Sequence, residues 1–193
     1  MYVTKIYWLV TMLEIEIKAK IDNHHSVLEK LNEIGAVYSH SEQQYDIYFN
    51  APHKDFKASD EALRIREVPI DDKLKRILTY KGPKLDSETK TRKEVEVEFD
   101  NTENMIDILV NIGFEASAVV KKSRRIFKYG DYEICLDKLE KLGYYLEIEY
   151  VSDEDEDVDR IKEYIFNLFE KLDIDSEFER RSYLGLLEEN KLI

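Results

Sequence analysis

The sequence predicts an α+β protein built on an antiparallel β-sheet or barrel with helices packed outside it. Two observations predict it. About eight segments alternate apolar and charged residues with the period of two that a strand with unlike faces requires, and only four helical patterns interrupt them. That count does not fit parallel βαβ units, which need a helix at nearly every crossover. The helical patterns also carry apolar stripes, so helices can cover the apolar strand faces from outside and leave the charged faces to line an interior. An antiparallel sheet with one wet face gives the same alternation strand by strand, so periodicity alone does not choose between the two.

Residues 13–21 alternate and form the first expected strand. A helix follows, capped by Asp22 or Asn23, striped by Val27, Leu28, Leu31 and Ile34, and ended by Gly35 where a left-handed residue belongs. His24 and His25 lie in its first turn, a common place for surface histidines and weak ground for a metal site. Further strands are expected at 43–49, 62–68, 74–81, 91–99, 119–128, 132–138 and 143–151. A second helix covers 102–112, capped by Thr102 and ended by Gly113, a third covers 157–172, and a short last one covers 177–187. The acidic run 152–159 reads as a linker whose carboxylates favour the start of the third helix.

A chain of 193 residues suits one domain, expected over 12–193, with residues 1–11 as a peripheral extension or the product of an upstream start codon. The formal net charge of -13 repels nucleic acid and anionic membranes, so any bound anion must be drawn by a local basic cluster. No stretch approaches the roughly 20 consecutive apolar residues of a membrane helix. The single cysteine, Cys135, has no partner for an internal disulfide and is expected as a buried or lumen-facing thiol in a cytoplasmic protein.

The charges divide by strand face. Glu14, Glu16 and Lys18 oppose Leu13, Ile15 and Ile17, and Arg64 and Arg66 oppose Leu63 and Ile65. Arg92, Glu94 and Glu96 oppose Val95 and Val97, and Glu147 and Glu149 oppose Leu146 and Ile148. Lys122 and Arg124 share a face, which puts Lys121 and Arg125 outside. With Lys81 and Asp137 the candidates are nearly balanced in sign, which matters because unpaired buried charge costs several kcal/mol per ion. Cations matched to a polyphosphate, and acids matched to Mg²⁺ or Mn²⁺, would be stable when filled and tolerable as ion pairs when empty. In the tunnel arrangement Leu13, Ile15, Val95, Val97, Leu146 and Ile148 pack beneath helices.

E-I-E-I-K at Glu14 to Lys18 resembles the ExExK signature of the CYTH superfamily, which contains class IV adenylate cyclases and triphosphate tunnel metalloenzymes such as thiamine triphosphatase. Other segments follow the cyclase pattern in order: Q-Y-D-I-Y-F at Gln44, A-L-R-I-R at Ala62, L-T-Y-K-G-P at Leu78, R-K-E-V-E-V-E at Arg92, K-S-R at Lys122, L-D-K-L-E-K-L-G-Y-Y-L-E-I-E at Leu136 and R-S-Y-L-G-L-L at Arg181. The resemblance covers about residues 12–187. It implies a closed eight-stranded antiparallel barrel holding a triphosphate, such as ATP, in its lumen. Lys18, Arg64, Arg66, Lys81, Lys122 and Arg124 are then the phosphate-binding residues. Glu14, Glu16, Glu147 and Glu149 are the ligands for Mg²⁺ or Mn²⁺, and Asp137, Glu94 and Glu96 are further lumen acids. Glu16, Lys18, Arg66, Lys122, Asp137 and Glu147 are the expected catalytic set. Arg92 is a lumen residue or an ion-pair partner of a neighbouring carboxylate. The motif string points first to an adenylate cyclase, with a triphosphate hydrolase and a non-catalytic nucleotide- or polyphosphate-binding module as alternatives. No nucleic-acid or membrane partner is expected, and a homodimer is what the cyclase resemblance implies.

Overall fold

The computed structural model describes residues 12–70, 73–85, 89–152, 156–175 and 178–193. The expectation for residues 1–11 lies outside them. Eight strands form: β1 (Met12–Ile21), β2 (Val37–Asn50), β3 (Ala62–Ile70), β4 (Lys73–Lys81), β5 (Arg92–Glu98), β6 (Glu115–Tyr129), β7 (Tyr132–Leu139) and β8 (Gly143–Ser152). Four helices accompany them: α1 (His24–Glu33), α2 (Thr102–Asn111), α3 (Val158–Lys171) and α4 (Tyr183–Glu189). The strands close into an antiparallel barrel in the order β1-β5-β4-β3-β2-β6-β7-β8. β1 is the closing strand, paired with β8 from Leu13↔Ser152 to Ile21↔Tyr144 and with β5 from Met12↔Glu94 to Glu14↔Arg92. Closure leaves no sheet edge exposed and separates an inner face from an outer one on every strand. Among the described residues no helix is long and apolar enough to cross a membrane.

All eight expected strands are present, but β2 and β6 begin earlier than the alternation implies. Their extra residues pair with each other's strand, as in Val37↔Lys128 and Asn50↔Glu115. Val37 and Tyr38 are exposed, so backbone pairing rather than burial holds that end, and no apolar pattern announces it.

The helix caps differ in two places. Asn23 caps α1, its side chain accepting from the His25 N–H at 2.8 Å, and Gly35 takes a φ of +81° at the far end. In α2 the cap is Asn101, not Thr102, whose hydroxyl instead donates to Glu67 and accepts from Arg76 Nε at 3.1 Å. Asp157, at the end of the acidic run, caps α3. α4 begins at Tyr183, capped by Ser182, and not at 177, a position outside the described residues. The chain before it is drawn onto β1 instead: Phe178 bridges Ala19, and the Glu179 N–H donates to the Lys18 carbonyl at 2.7 Å.

The largest apolar cluster joins the outer faces of β1, β7 and β8 (Ile15, Ile17, Ile134, Leu136, Leu146, Ile148) to α1 and α3 through residues including Leu31, Ile165, Leu168 and Phe169. Full burial of such side chains contributes about 1.5–3 kcal/mol each. α2 covers Phe49, Leu63 and Ile65 through Leu109. Val97 departs from expectation: it is 53% exposed, and Val95 only half-buried. Its neighbour across the sheet is Leu78, and strand parity alone says nothing about whether a helix lies above a given position. The side chain of Leu13 lies outside the described residues.

α4 does not lie on the outer wall. Tyr183, Leu186 and Leu187 pack with Tyr48, Val120, Leu139 and Tyr145, residues that share strand faces with Asp46, Lys122, Asp137 and Glu147. These are lumen faces, so α4 plugs one end of the barrel with apolar side chains.

Candidate active site in the barrel lumen

The lumen is organised by two buried aspartates, each gripping a pair of cations. Arg124 donates to Asp137 through Nε and Nη2, both at 2.7 Å, while Lys122 Nζ donates at 2.9 Å and the Tyr183 hydroxyl at 2.8 Å. Asp137 has no exposed surface, and a carboxylate with four donors has its acceptor sites filled. Burial would raise its carboxyl, but the charges of Arg124 and Lys122 outweigh burial and hold it below the ordinary range. On the adjoining strands β2 and β3, Asp46 is gripped bidentately by Arg66 at 2.7 Å through Nε and Nη2, with Arg64 Nη1 at 3.4 Å. Here too burial is outweighed, by Arg66 and then Arg64, and the carboxyl stays well below its usual value. The register Asp46↔Arg66 places that pair side by side. Bidentate pairing fixes each guanidinium plane before a ligand arrives.

The remaining acids complete the ring from β8, β1 and β5. Lys81 bridges Glu14, at 3.2 Å, and Glu94, and Thr79 donates to Glu96 at 2.7 Å. Glu96 is exposed, so it stands at an open part of the lumen. Arg124 Nη1 donates to Glu149 at 2.7 Å, and Nη2 to Glu147. Glu147 is ringed by cations: Lys90 at 3.1 Å, Lys18 and Lys122 each at 3.8 Å, and Arg124. Burial disfavours its charge, yet Lys90, Lys122, Arg124 and Lys18 hold it well below the usual carboxylate range. Lys18 is fully buried, donates to the Arg181 carbonyl at 2.7 Å and stands 3.8 Å from the Tyr183 ring centroid. Burial, reinforced by Lys90, pushes its ammonium well below the usual lysine range. Arg92 Nη1 donates to the Gly82 carbonyl at 3.2 Å, and its Nη2 lies 3.9 Å from Asp60.

Carboxylate oxygens of Glu14, Glu16 and Glu149 lie within 4.8 Å of one another. Hard oxygen donors this close suit Mg²⁺ or Mn²⁺. Burial, with the Glu147 charge beside it, raises the Glu16 carboxyl to about 7 against the opposing pull of Lys90. Burial likewise raises Glu14 and Glu149, as expected of like charges gathered without a cation equal to them. Glu149 also belongs to a second group with Glu133 and Cys135. There the thiol is a soft donor held in its protonated form by burial, and Glu133 is ion-paired with Lys128, so a hard cation prefers the all-carboxylate group. Cys135 is both fully buried and on the lumen face of β7, the face of Asp137.

One cavity of about 650 Å³ is shared by these groups, Arg64, Lys81, Lys122, Arg124, Glu16 and Glu149 among its walls. Among the described residues the buried Arg64 Nε donates to nothing, and an anion oxygen would satisfy it. The structure thus brings every candidate site residue of the sequence onto the inner faces of the strands, with Lys18 and Asp137 buried behind the cavity walls and the others lining it. It adds Lys90, Asp46 and Tyr183, which sequence reasoning passed over. Lys90 sits just before β5 in the same parity as Arg92 and Glu94, and extending the expected strand 91–99 by one residue finds it. Asp46 and Tyr183 lie inside the Q-Y-D-I-Y-F and R-S-Y-L-G-L-L segments.

A closed barrel that gathers carboxylates on one side of a lumen and paired cations on the other defines a tunnel protein with a charged interior. The chain matches the CYTH domain over residues 12–183 and belongs to that family. It is 39% identical over 176 residues to a Methanocaldococcus jannaschii protein named "Putative adenylate cyclase", covering 91% of this chain and 98% of that one. It is similar to the solved structure of the Pyrococcus horikoshii protein PH1819, with a TM-score of 0.85, 35% identity and coverage of 92% of this chain and 99% of that one. It also shares its fold, at a TM-score of 0.67 and 20% identity over 94% of this chain and 97% of that one, with an adenylyl cyclase candidate from Hippeastrum whose structure is described as revealing a dominant triphosphatase activity.

Proposed function

We propose that this protein is a metal-dependent enzyme acting on triphosphates, and that it converts ATP to cyclic AMP and pyrophosphate. The observation that carries the proposal is the facing arrangement in one cavity of the Glu14, Glu16 and Glu149 oxygens and the cations Arg64, Arg66, Lys81, Lys122 and Arg124, with Lys18 buried 3.8 Å from Glu147. Bound Mg²⁺ or Mn²⁺, held by Glu14, Glu16, Glu149 and the adjacent Glu147, supplies Lewis-acid activation of an oxygen nucleophile and neutralises phosphate charge. The chain supplies position. Asp46 aims Arg64 and Arg66 on β3, and Asp137 aims Lys122 and Arg124 on the nearby β6, so phosphate oxygens would meet donors whose orientation is already fixed. When the ribose 3′-hydroxyl attacks the α-phosphate, charge builds on the departing pyrophosphate, and these four cations lie where it would be neutralised. Asp137 itself acts as a positioning residue in this scheme, because its oxygens are already taken.

The name of the Methanocaldococcus relative and the ordered motifs support the cyclase reaction. A second reading, hydrolysis of the terminal phosphate, is favoured by the activity described for the Hippeastrum neighbour and by the walls of the cavity, which offer mainly phosphate and metal groups. Asn50 lines the cavity, but its Oδ1 already accepts from the Phe56 N–H at 2.9 Å. A module that binds without turnover would have little use for the carboxylate trio. The test is incubation with ATP and Mg²⁺ or Mn²⁺, followed by separation of products. Cyclic AMP with pyrophosphate is the expected outcome, orthophosphate with ADP selects the hydrolase, and unchanged ATP rejects both enzymatic readings.

A further inference from the structure

Lys90 belongs to no strand, yet it is placed as firmly as a strand residue. Its N–H donates to the Glu16 carbonyl at 3.0 Å, which continues the β1–β5 pairing beyond Glu14↔Arg92. On either side Thr89 and Thr91 lock the turn: their hydroxyls are 2.5 Å apart and the Thr91 N–H donates to Thr89 Oγ1 at 3.1 Å. The Leu85 N–H closes the loop onto the Thr91 carbonyl at 2.8 Å. The backbone therefore delivers the Lys90 side chain into the lumen, where Nζ donates to Glu16 Oε1 and to Glu147 Oε1 and the residue is only 8% exposed.

Apart from Lys18, which reaches Glu147 at 3.8 Å and donates to the Arg181 carbonyl, the other phosphate-facing cations have acids of their own. Arg64 and Arg66 are held by Asp46, Lys122 and Arg124 by Asp137, and Lys81 keeps Glu94 even if Glu14 is claimed. The acids that Lys90 bridges, Glu16 and Glu147, are both proposed to serve a metal. Two buried carboxylates facing each other need a cation between them. An ammonium and a divalent ion cannot both fill that place.

We propose that Lys90 is the internal counter-cation of the lumen: its ammonium holds Glu16 and Glu147 until a divalent cation claims them, and it then turns to the triphosphate. The proposal rests on the metal and triphosphate reading above. It makes one residue oppose the metal and favour the phosphate, a pair of effects that a merely structural lysine would not produce. A neutral residue at this position leaves the carboxylates more negative and removes one donor from the phosphates.

The test uses the full chain as wild type, Lys90→Met and Lys90→Arg, with folding checked by circular dichroism. Mn²⁺ uptake without phosphate is read from the electron paramagnetic resonance of free Mn²⁺, and tripolyphosphate affinity by calorimetry in saturating Ca²⁺. Lys90→Met should bind Mn²⁺ about tenfold tighter and tripolyphosphate about tenfold weaker, with Lys90→Arg near wild type in both. If the Met variant is unfolded, Lys90→Gln gives the same comparison with hydrogen bonding retained. Unchanged or weaker Mn²⁺ binding, or unchanged tripolyphosphate affinity, overturns the proposal. A wild type that takes up no Mn²⁺ overturns instead the metal reading beneath it.

Discussion

Replacing Glu16 by Gln should lower turnover by about 10³-fold at any metal concentration while the barrel stays folded. Glu16 is in contact with both halves of the proposed chemistry: its oxygens group with Glu14 and Glu149, and Lys90 ties it to Glu147. Gln keeps the size and the hydrogen bonding but removes the charge a divalent cation needs. The same residue gives a pH signature. With its carboxyl raised to about 7 by burial and by Glu147, Glu16 carries a proton below that pH, and a metal must displace it. Mn²⁺ affinity in the wild type should therefore strengthen as pH rises through 7 and weaken as it falls, and the Gln variant should show a shallower slope, keeping only the part due to Glu14 and Glu149. Retention of most activity by Glu16→Gln at saturating metal would remove this residue from the site.

Replacing Asp137 by Asn should cost about 3–5 kcal/mol of stability, the usual penalty for removing one member of a buried ion pair. The reason is specific to this lumen. Arg124 and Lys122 are nine-tenths buried, and both lose the carboxylate that neutralises them, while Tyr183 loses the acceptor that ties α4 to the barrel wall. In a chain of this size that corresponds to a drop of about 6–20 °C in Tm. A generic core defect would not respond to the ligand in the same way. Tripolyphosphate brings negative charge to the same cations, so it should raise the Tm of Asp137→Asn by more than it raises the wild type. Equal increments in a thermal melt would mean that the lumen cations do not face the ligand.

The strands were legible in the sequence because each carries two chemically opposite faces, as in Glu14, Glu16 and Lys18 against Ile15 and Ile17. Which strands neighbour which was not legible, because closure pairs β1 with both β5 and β8, contacts that no local pattern encodes. The four helices were legible from stripes and caps, but their destinations were not. α4 has the same apolar spacing as an outer helix, and only the meeting of Leu186 and Leu187 with Tyr48, Val120 and Tyr145 reveals that it plugs the lumen. Val95 and Val97 show the converse, since identical parity did not earn them equal cover.

Among the site residues, parity alone put Lys122 and Arg124 on the inner face and Lys121 and Arg125 on the outer one, where Lys121 lies over the Tyr45 ring. Parity could not show that Asp137 is saturated by four donors or that Asp46 organises Arg64 and Arg66, because those facts depend on side chains from β2, β3, β6, β7 and α4 meeting in space. Lys90 escaped because the β5 pattern was read only from Thr91 onward. Tyr183 escaped because an aromatic residue at the start of a short helix reads as ordinary core.

The central claim is that this lumen recognises a triphosphate by its charge, and calorimetric titration with tripolyphosphate, ATP and AMP in the presence of Ca²⁺ tests it most directly. Arg64, Arg66, Lys81, Lys122 and Arg124 would each give charge-assisted bonds of about 1.5–3 kcal/mol to phosphate oxygens. Tripolyphosphate and ATP should therefore bind with similar affinity and compete for one site. AMP should bind at least about 100-fold more weakly, since it forgoes two or more such bonds. Tight binding of AMP, or failure of tripolyphosphate to displace ATP, would contradict the account by showing that the nucleoside governs recognition.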